Sequence, residues 1–138
     1  MAIKQELING LNEDLNVELE AVLRYLYHSS SATSLLGHEL RELLKADIVG
    51  ELNHAVFLAD KIHALGGEVK INVTMPKRVN SAKDMITINI AAERKAIKNY
   101  AARIQQAQDF GDRGLVIRLE DILAEETDHA EGMERLGR

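Results

Sequence analysis

Two segments of this chain repeat one pattern of acid, phenol and imidazole. Glu18 is followed by Tyr25, Glu51 and His54, and Glu93 by Tyr100, Glu126 and His129. Each member of the second set stands 75 residues after its counterpart (18 and 93, 25 and 100, 51 and 126, 54 and 129). Residues three apart share one face of a helix. Glu51 with His54 can therefore reach one metal ion, and Glu126 with His129 another. A single Glu-x-x-His is common on a solvated helix face. Two copies, each with a further Glu 33 residues upstream (18 to 51, 93 to 126), point to a metal centre instead. One Glu from each of two helices, with Glu-x-x-His from each of two others, is the ligand set that holds a metal pair inside a bundle.

Charge supports that reading. Four carboxylates at one level of a core would carry about -4, and burying each unpaired charge costs several kcal/mol. Protonation with raised pKa values would relieve this; two divalent cations would cancel it. Oxygen and imidazole ligands suit Fe, and also Mn or Zn. No cysteine is present, which excludes thiolate sites and iron–sulfur clusters. Six side chains serving two ions leave positions open for water or dioxygen, so the centre reads as redox-active rather than structural.

Helices must position these groups. In the last segment Leu115, Leu119, Ile122, Glu126, His129, Met133 and Leu136 step alternately by four and three, the stripe of an amphipathic helix. The same alternation runs through Leu11, Leu15, Glu18, Val22 and Tyr25, and through Leu40, Leu44, Asp47, Glu51, His54 and Leu58. Ile86, Glu93, Ile97, Tyr100 and Ile104 mark a further stripe. Punctuation places the first helix from about Ile3 to Ser31 and the second from about His38 to Leu65, stopping at Gly66-Gly67. The third begins after Ser81, where Ser81-Ala82-Lys83-Asp84 resembles a capping box. The fourth begins near Asp112.

Between the second and third helices, Gly66 to Asn80 shows no helical stripe and exceeds the usual two to eight residues of a helix–helix loop. A helix of about 26 residues is roughly 40 Å long, and fifteen extended residues reach roughly 50 Å. The segment is long enough to cross the whole bundle and start the third helix parallel to the second. A slack up-down loop is the alternative; the length favours the crossover. The expected fold is an all-α four-helix bundle forming one domain over 1–138.

The remaining residues read more blandly. Tyr25 and Tyr100 lean toward the carboxylate level, where each hydroxyl could bond a ligand Glu of another helix; a core tyrosine satisfied elsewhere is equally open. His28, His38 and His63 are isolated and read as surface or loop residues. Asp47 lies one turn before Glu51 and could support a ligand there, but helix-surface polarity is the more ordinary reading. Glu20, Glu125 and Asp128 stand beside ligands in sequence and so face elsewhere. Hydrophobic residues form 46% of the 138 and the net charge is -5, which excludes a disordered acidic tail and gives no reason to expect a nucleic-acid partner. There is no signal-type apolar region near the start and no run of eighteen apolar residues, so a cytoplasmic protein without membrane partners is expected.

At these residues the chain resembles bacterioferritin and its ferritin-like relatives. Glu18-Leu19-Glu20-Ala21-Val22-Leu23-Arg24-Tyr25 is similar to the family's first-helix motif, Glu51-Leu52-Asn53-His54-Ala55 to the second, and Ile122-Leu123-Ala124-Glu125-Glu126-Thr127-Asp128-His129 to the fourth. Glu93 falls at the third-helix ligand. The resemblance implies a ferritin-like bundle and a ferroxidase that binds Fe(II), oxidises it with dioxygen or peroxide, and stores or passes on Fe(III). It makes Glu51 and Glu126 bridging ligands and Glu18 and Glu93 terminal ones, with His54 and His129 each on one iron. Leu52 stands where the family carries its haem-ligating methionine, so no haem is expected. Ala46 and Gly50 stand where some relatives hold inner-surface iron, so that site is absent. The family's fifth helix has no counterpart before Arg138. Rubrerythrins are similar too, but place an extra Glu at the position of Ala96, and Dps proteins take their ligands across a dimer interface. A homo-oligomer is expected, because mineral storage needs an enclosed volume that one such chain cannot supply. The alternatives are a rubrerythrin-like or catalase-like di-metal peroxidase and a non-enzymatic helical interaction module.

Overall fold

In the computed structural model, which describes residues 2–138, four helices follow one another: α1 (Ala2–Ser31), α2 (Ser34–Ala64), α3 (Ala82–Phe110) and α4 (Arg113–Leu136). Their ends follow from local chemistry. After Leu65 caps α2, Gly66 turns at φ +84, and Gly111 ends α3 at φ +92; the left-handed region suits glycine at both. Ser81 Oγ accepts from the Asp84 amide at 3.1 Å, satisfying one of the free donors at the start of α3. Asp112 does the same for Leu115 at 3.0 Å and also pairs with Lys61 of α2. Asp112→Ala should cost about 1 kcal/mol for the lost cap. A thermal melt should show this as a drop of about 3–5 °C.

One boundary differs from expectation. The second helix is expected from about His38, yet α2 starts at Ser34. Two residues, Ala32 and Thr33, suffice for the reversal, with Ser34 turning at φ +72.

The long connection runs extended along α1. Asn12 Nδ2 donates to the Glu68 carbonyl at 2.9 Å, and its Oδ1 accepts from the Lys70 amide at 2.8 Å. Asn16 holds Lys70 O at 2.8 Å and the Asn72 amide at 2.6 Å, and Glu20 accepts from the Thr74 amide at 2.6 Å. Each turn of α1 thus catches every second residue of the connection. The match is metric: four helical residues rise about 6 Å, and two extended ones about 6.6 Å. The chain climbs from the lower end of the bundle, where α2 finishes, to the upper end, where α3 begins. α2 and α3 therefore run parallel, and the connection is a crossover.

Apolar residues fill two blocks. The lower one includes Leu7, Leu11, Leu58, Ile62, Leu115 and Leu119; the upper one includes Tyr25, Leu40, Leu44, Met85, Ile86 and Met133. Each fully buried Leu or Ile contributes about 1.5–3 kcal/mol, and together they sustain the polar layer enclosed between them. Among the described residues, no helix is long and apolar enough to cross a membrane.

Candidate metal centre

Midway along the bundle each inward stripe changes from apolar to ligating. α1 brings Glu18, α2 Glu51 and His54, α3 Glu93, and α4 Glu126 and His129. The four glutamates are at most 2% exposed and His54 5%; the His129 side chain is the most open, at 16%. The six gather into two sets. In one, ligand atoms of Glu18, Glu51, His54 and Glu126 lie within 4.8 Å of one another; in the other, those of Glu51, Glu93, Glu126 and His129 do. Glu51 and Glu126 belong to both, as two carboxylates shared between two ions would.

Both imidazoles turn Nδ1 inward. His54 Nδ1 lies 3.1 Å from Glu126 Oε1 and 3.4 Å from Glu18 Oε2. His129 Nδ1 lies 2.9 Å from Glu51 Oε1. None of these approaches has hydrogen-bond alignment. Glu18 Oε2, Glu51 Oε1, His54 Nδ1, Glu93 Oε2, Glu126 Oε1 and His129 Nδ1 are all buried without a partner. Buried polar atoms are rarely left so. Six at one level, each a good donor to a hard or borderline cation, fit a metal pair.

The tyrosines fasten the terminal glutamates crosswise. Tyr100 of α3 donates its hydroxyl to Glu18 Oε1 of α1 at 2.6 Å, and Tyr25 of α1 donates to Glu93 Oε1 of α3. The bonds leave one oxygen of each glutamate free to face the centre. The 75-residue repeat is therefore a repeat of contacts as well as of sequence.

Two acids differ from the sequence's more ordinary reading of them. Glu125 was set aside as facing away from its neighbour Glu126, yet its carboxylate meets His54 Nε2. Asp47, read as surface polarity, lies 3.5 Å from His129 Nε2. A carboxylate on the outer nitrogen keeps its proton there and leaves Nδ1 with a lone pair for metal. One helical residue turns about 100°, which swings Glu125 off the inward stripe to the flank where the His54 ring edge emerges from α2. His28, read as a surface residue, is buried, and its Nδ1 takes the Asn89 amide at 3.0 Å. Burial, aided by the nearby Arg24 charge, lowers its pKa to about 4, so it is neutral.

Without cations the carboxylates contend for protons. Burial, then Glu126 and Glu18, push Glu93 up to about 10. Burial and the neighbours Glu18 and Glu126 push Glu51 up further still. Burial would also raise Glu126, but the close approach of His54, Glu93 and Glu51 and the charge of His129 hold it down at about 2. For His54, burial is outweighed by Glu126 and Glu18, which lift it to about 10. The layer is a stack of acids sharing too few protons, as expected where cations belong.

Known proteins share this fold. A ferritin-like diiron-carboxylate protein from Bacillus anthracis superposes with a TM-score of 0.96 at 33% identity, covering 100% of this chain and 99% of that one. Bacterioferritin from Desulfovibrio desulfuricans, whose structure holds a diiron site, matches with a TM-score of 0.84 at 25% identity, over 99% and 80% of the two chains. Bacterioferritin from Mycobacterium leprae is 25% identical over 130 residues, 94% of this chain and 82% of its own length. The family pattern of the ferritin-like domain matches residues 8–137, and with its crossed four-helix topology the chain belongs to the ferritin-like family.

Proposed function

We propose that this protein is a cytoplasmic ferroxidase that oxidises Fe(II) at the paired site and passes the Fe(III) to storage or detoxification. The observation that carries the reading is the pair of ligand sets sharing Glu51 and Glu126, with all six donor atoms buried and without partners. Two Fe(II) ions give up one electron each. Dioxygen takes two electrons and two protons to become hydrogen peroxide, or peroxide takes two of each to become water. Glu51 and Glu126 hold the two substrate ions side by side. Glu18 and Glu93 cap the ends, oriented by Tyr100 and Tyr25. The Nε2 contacts with Glu125 and Asp47 aim His54 and His129. Mn or Zn would satisfy the same donors. Leu52 is an exposed aliphatic side chain with no atom to ligate haem iron, so we assign no haem. Mineral storage needs an enclosed volume, so a homo-oligomer accompanies this reading.

Fe(II) added aerobically to the metal-free protein should be oxidised rapidly. Glu18→Ala and His129→Ala should each abolish the rapid phase while circular dichroism reports the same helix content. Undiminished oxidation in both variants would remove the assignment. A di-metal peroxidase would instead consume peroxide catalytically and accumulate no ferric core.

A further inference from the structure

The two metal positions are alike in ligands but not in surroundings. The 75-residue repeat, kept by all six ligands and both tyrosines, breaks in the shell next to them. Asp14 of α1 answers to Asn89 of α3, His28 to Arg103, and Arg24 to Asn99. Beside Glu18, the Asp14 carboxylate takes two bonds from the Arg103 guanidinium, at 2.8 and 3.2 Å. That buried pair has no net charge. Beside Glu93, the counterpart pair is Asn89 with His28, both neutral. Here a cation is added: Arg24 donates Nε to Asn89 Oδ1 at 2.8 Å, one turn before Glu93. Its guanidinium lies 5.5 Å from the ring centre of Tyr25, which in turn bonds Glu93. Among the described residues Arg24 forms no ion pair, and apart from Glu20, one turn before it on α1, the carboxylates its charge acts on belong to the centre. Of the carboxylates it acts on Glu93 most, then Glu51.

We infer that the two positions fill in a fixed order: the Glu18/His54 position takes the first divalent ion, and the Glu93/His129 position, facing Arg24, takes the second more weakly. This rests on the metal reading above. The first ion repels the second at any paired site. What Arg24 adds is a bias that decides which position is filled first and widens the gap. A unit charge near one position should separate the two dissociation constants by about ten- to a hundredfold.

Calorimetric titration of the metal-free protein with Zn(II), which binds without redox chemistry, tests this. The wild type should take two ions in two resolved steps. His129→Ala should remove the weaker step and His54→Ala the tighter one. Arg24→Gln should tighten the weaker step about tenfold or more and leave the tighter step nearly unchanged. Arg24→Lys, which keeps the charge, should retain the wild-type separation. Moving the charge by Arg24→Asn with Asn99→Arg should make His54→Ala the variant that loses the weaker step. Equal affinities in the wild type would overturn the inference, as would a separation untouched by Arg24→Gln. Either result would leave the metal pair itself standing, whereas no Zn(II) binding at all would overturn both.

Discussion

Replacing Glu51 by glutamine should slow iron oxidation by at least about a hundredfold while leaving the metal-free protein more stable than the wild type at pH 8. The rate effect follows from position. Glu51 is one of two carboxylates common to both ligand sets, so an amide there weakens both ions at once and removes a negative charge that holds them together; removing one electrostatic contact in a dry site typically costs two to three powers of ten, about 3–4 kcal/mol. The stability effect follows from protons. Burial and the neighbouring Glu18 and Glu126 raise Glu51 far above its ordinary 4.5. A carboxyl that stays protonated when folded but ionises when unfolded contributes stability fully below the unfolded pKa, and loses it as pH rises toward the folded one. Glu93, raised to about 10, and His54, raised to about 10, act in the same direction. The metal-free wild type should therefore melt progressively lower from about pH 4.5 to pH 10. Glutamine resembles the protonated carboxyl and cannot ionise, so the variant should lose less over that range. The gain at pH 8 is on the order of a few kcal/mol. Divalent ions reverse the trend in the wild type, because they displace those protons and bind more tightly as pH rises. Melting curves at pH 5, 7 and 9, with and without Zn(II), check all of this. A variant that melts lower than the wild type at every pH would show that Glu51 is an ordinary satisfied core acid.

How much of this was legible in the sequence depends on what kind of signal each residue sends. The six candidate ligands stand out because two copies of one spacing are hard to produce by chance, and the fold gathers them into two sets. The crossover could be found because fifteen residues without a stripe are too many for a loop. Its anchors could not: Asn12, Asn16 and Glu20 look like any polar face until the extended chain lies on them. Glu125 was not legible, and Asp47 only as one of two readings, for a different reason. Their partners sit on another helix, and a stripe drawn on one helix says nothing about the neighbour's ring edge. The largest misreading concerns α3. Ile97 and Ile104 suggested the inward line, since bulk and apolarity usually mark it. The buried line keeps Ile86, Glu93 and Tyr100 of that stripe, adds Asn89 and Ala107, and takes Ala96 and Arg103 in place of Ile97 and Ile104. Nothing in the sequence marks Asn89 and Arg103 for burial, because polar and charged side chains are rarely buried without a partner. The partners, His28 and Asp14, lie 61 and 89 residues away.

That pair sets the second large effect. Arg103→Met should destabilise the protein by about 3–5 kcal/mol, seen as a fall of about 10–20 °C in Tm at pH 8. Asp14 is 1% exposed and Arg103 5%. Burial lifts Asp14 to about 6 even with the guanidinium on it, so burial here outweighs the pairing. Without Arg103 the carboxylate would be left in the core with its charge unanswered. The sequence has also yielded elsewhere to make room. A Cβ on Gly10 would lie 1.8 Å from Arg103 Nη1, so the side chain crosses α1 only because position 10 has none. Glycine inside a helix costs about 1 kcal/mol relative to alanine, a cost that makes sense only if the ion pair matters more. Since Asp14 can take a proton, the deficit of Arg103→Met should shrink between pH 8 and pH 5. Removing both charges, with Asp14→Leu added, should recover most of the loss, because a buried pair replaced by apolar groups is often neutral. A loss of only about 0.5 kcal/mol, the size expected for a surface arginine, would show that the pair is not the buried constraint described. So would a double variant no more stable than the single one.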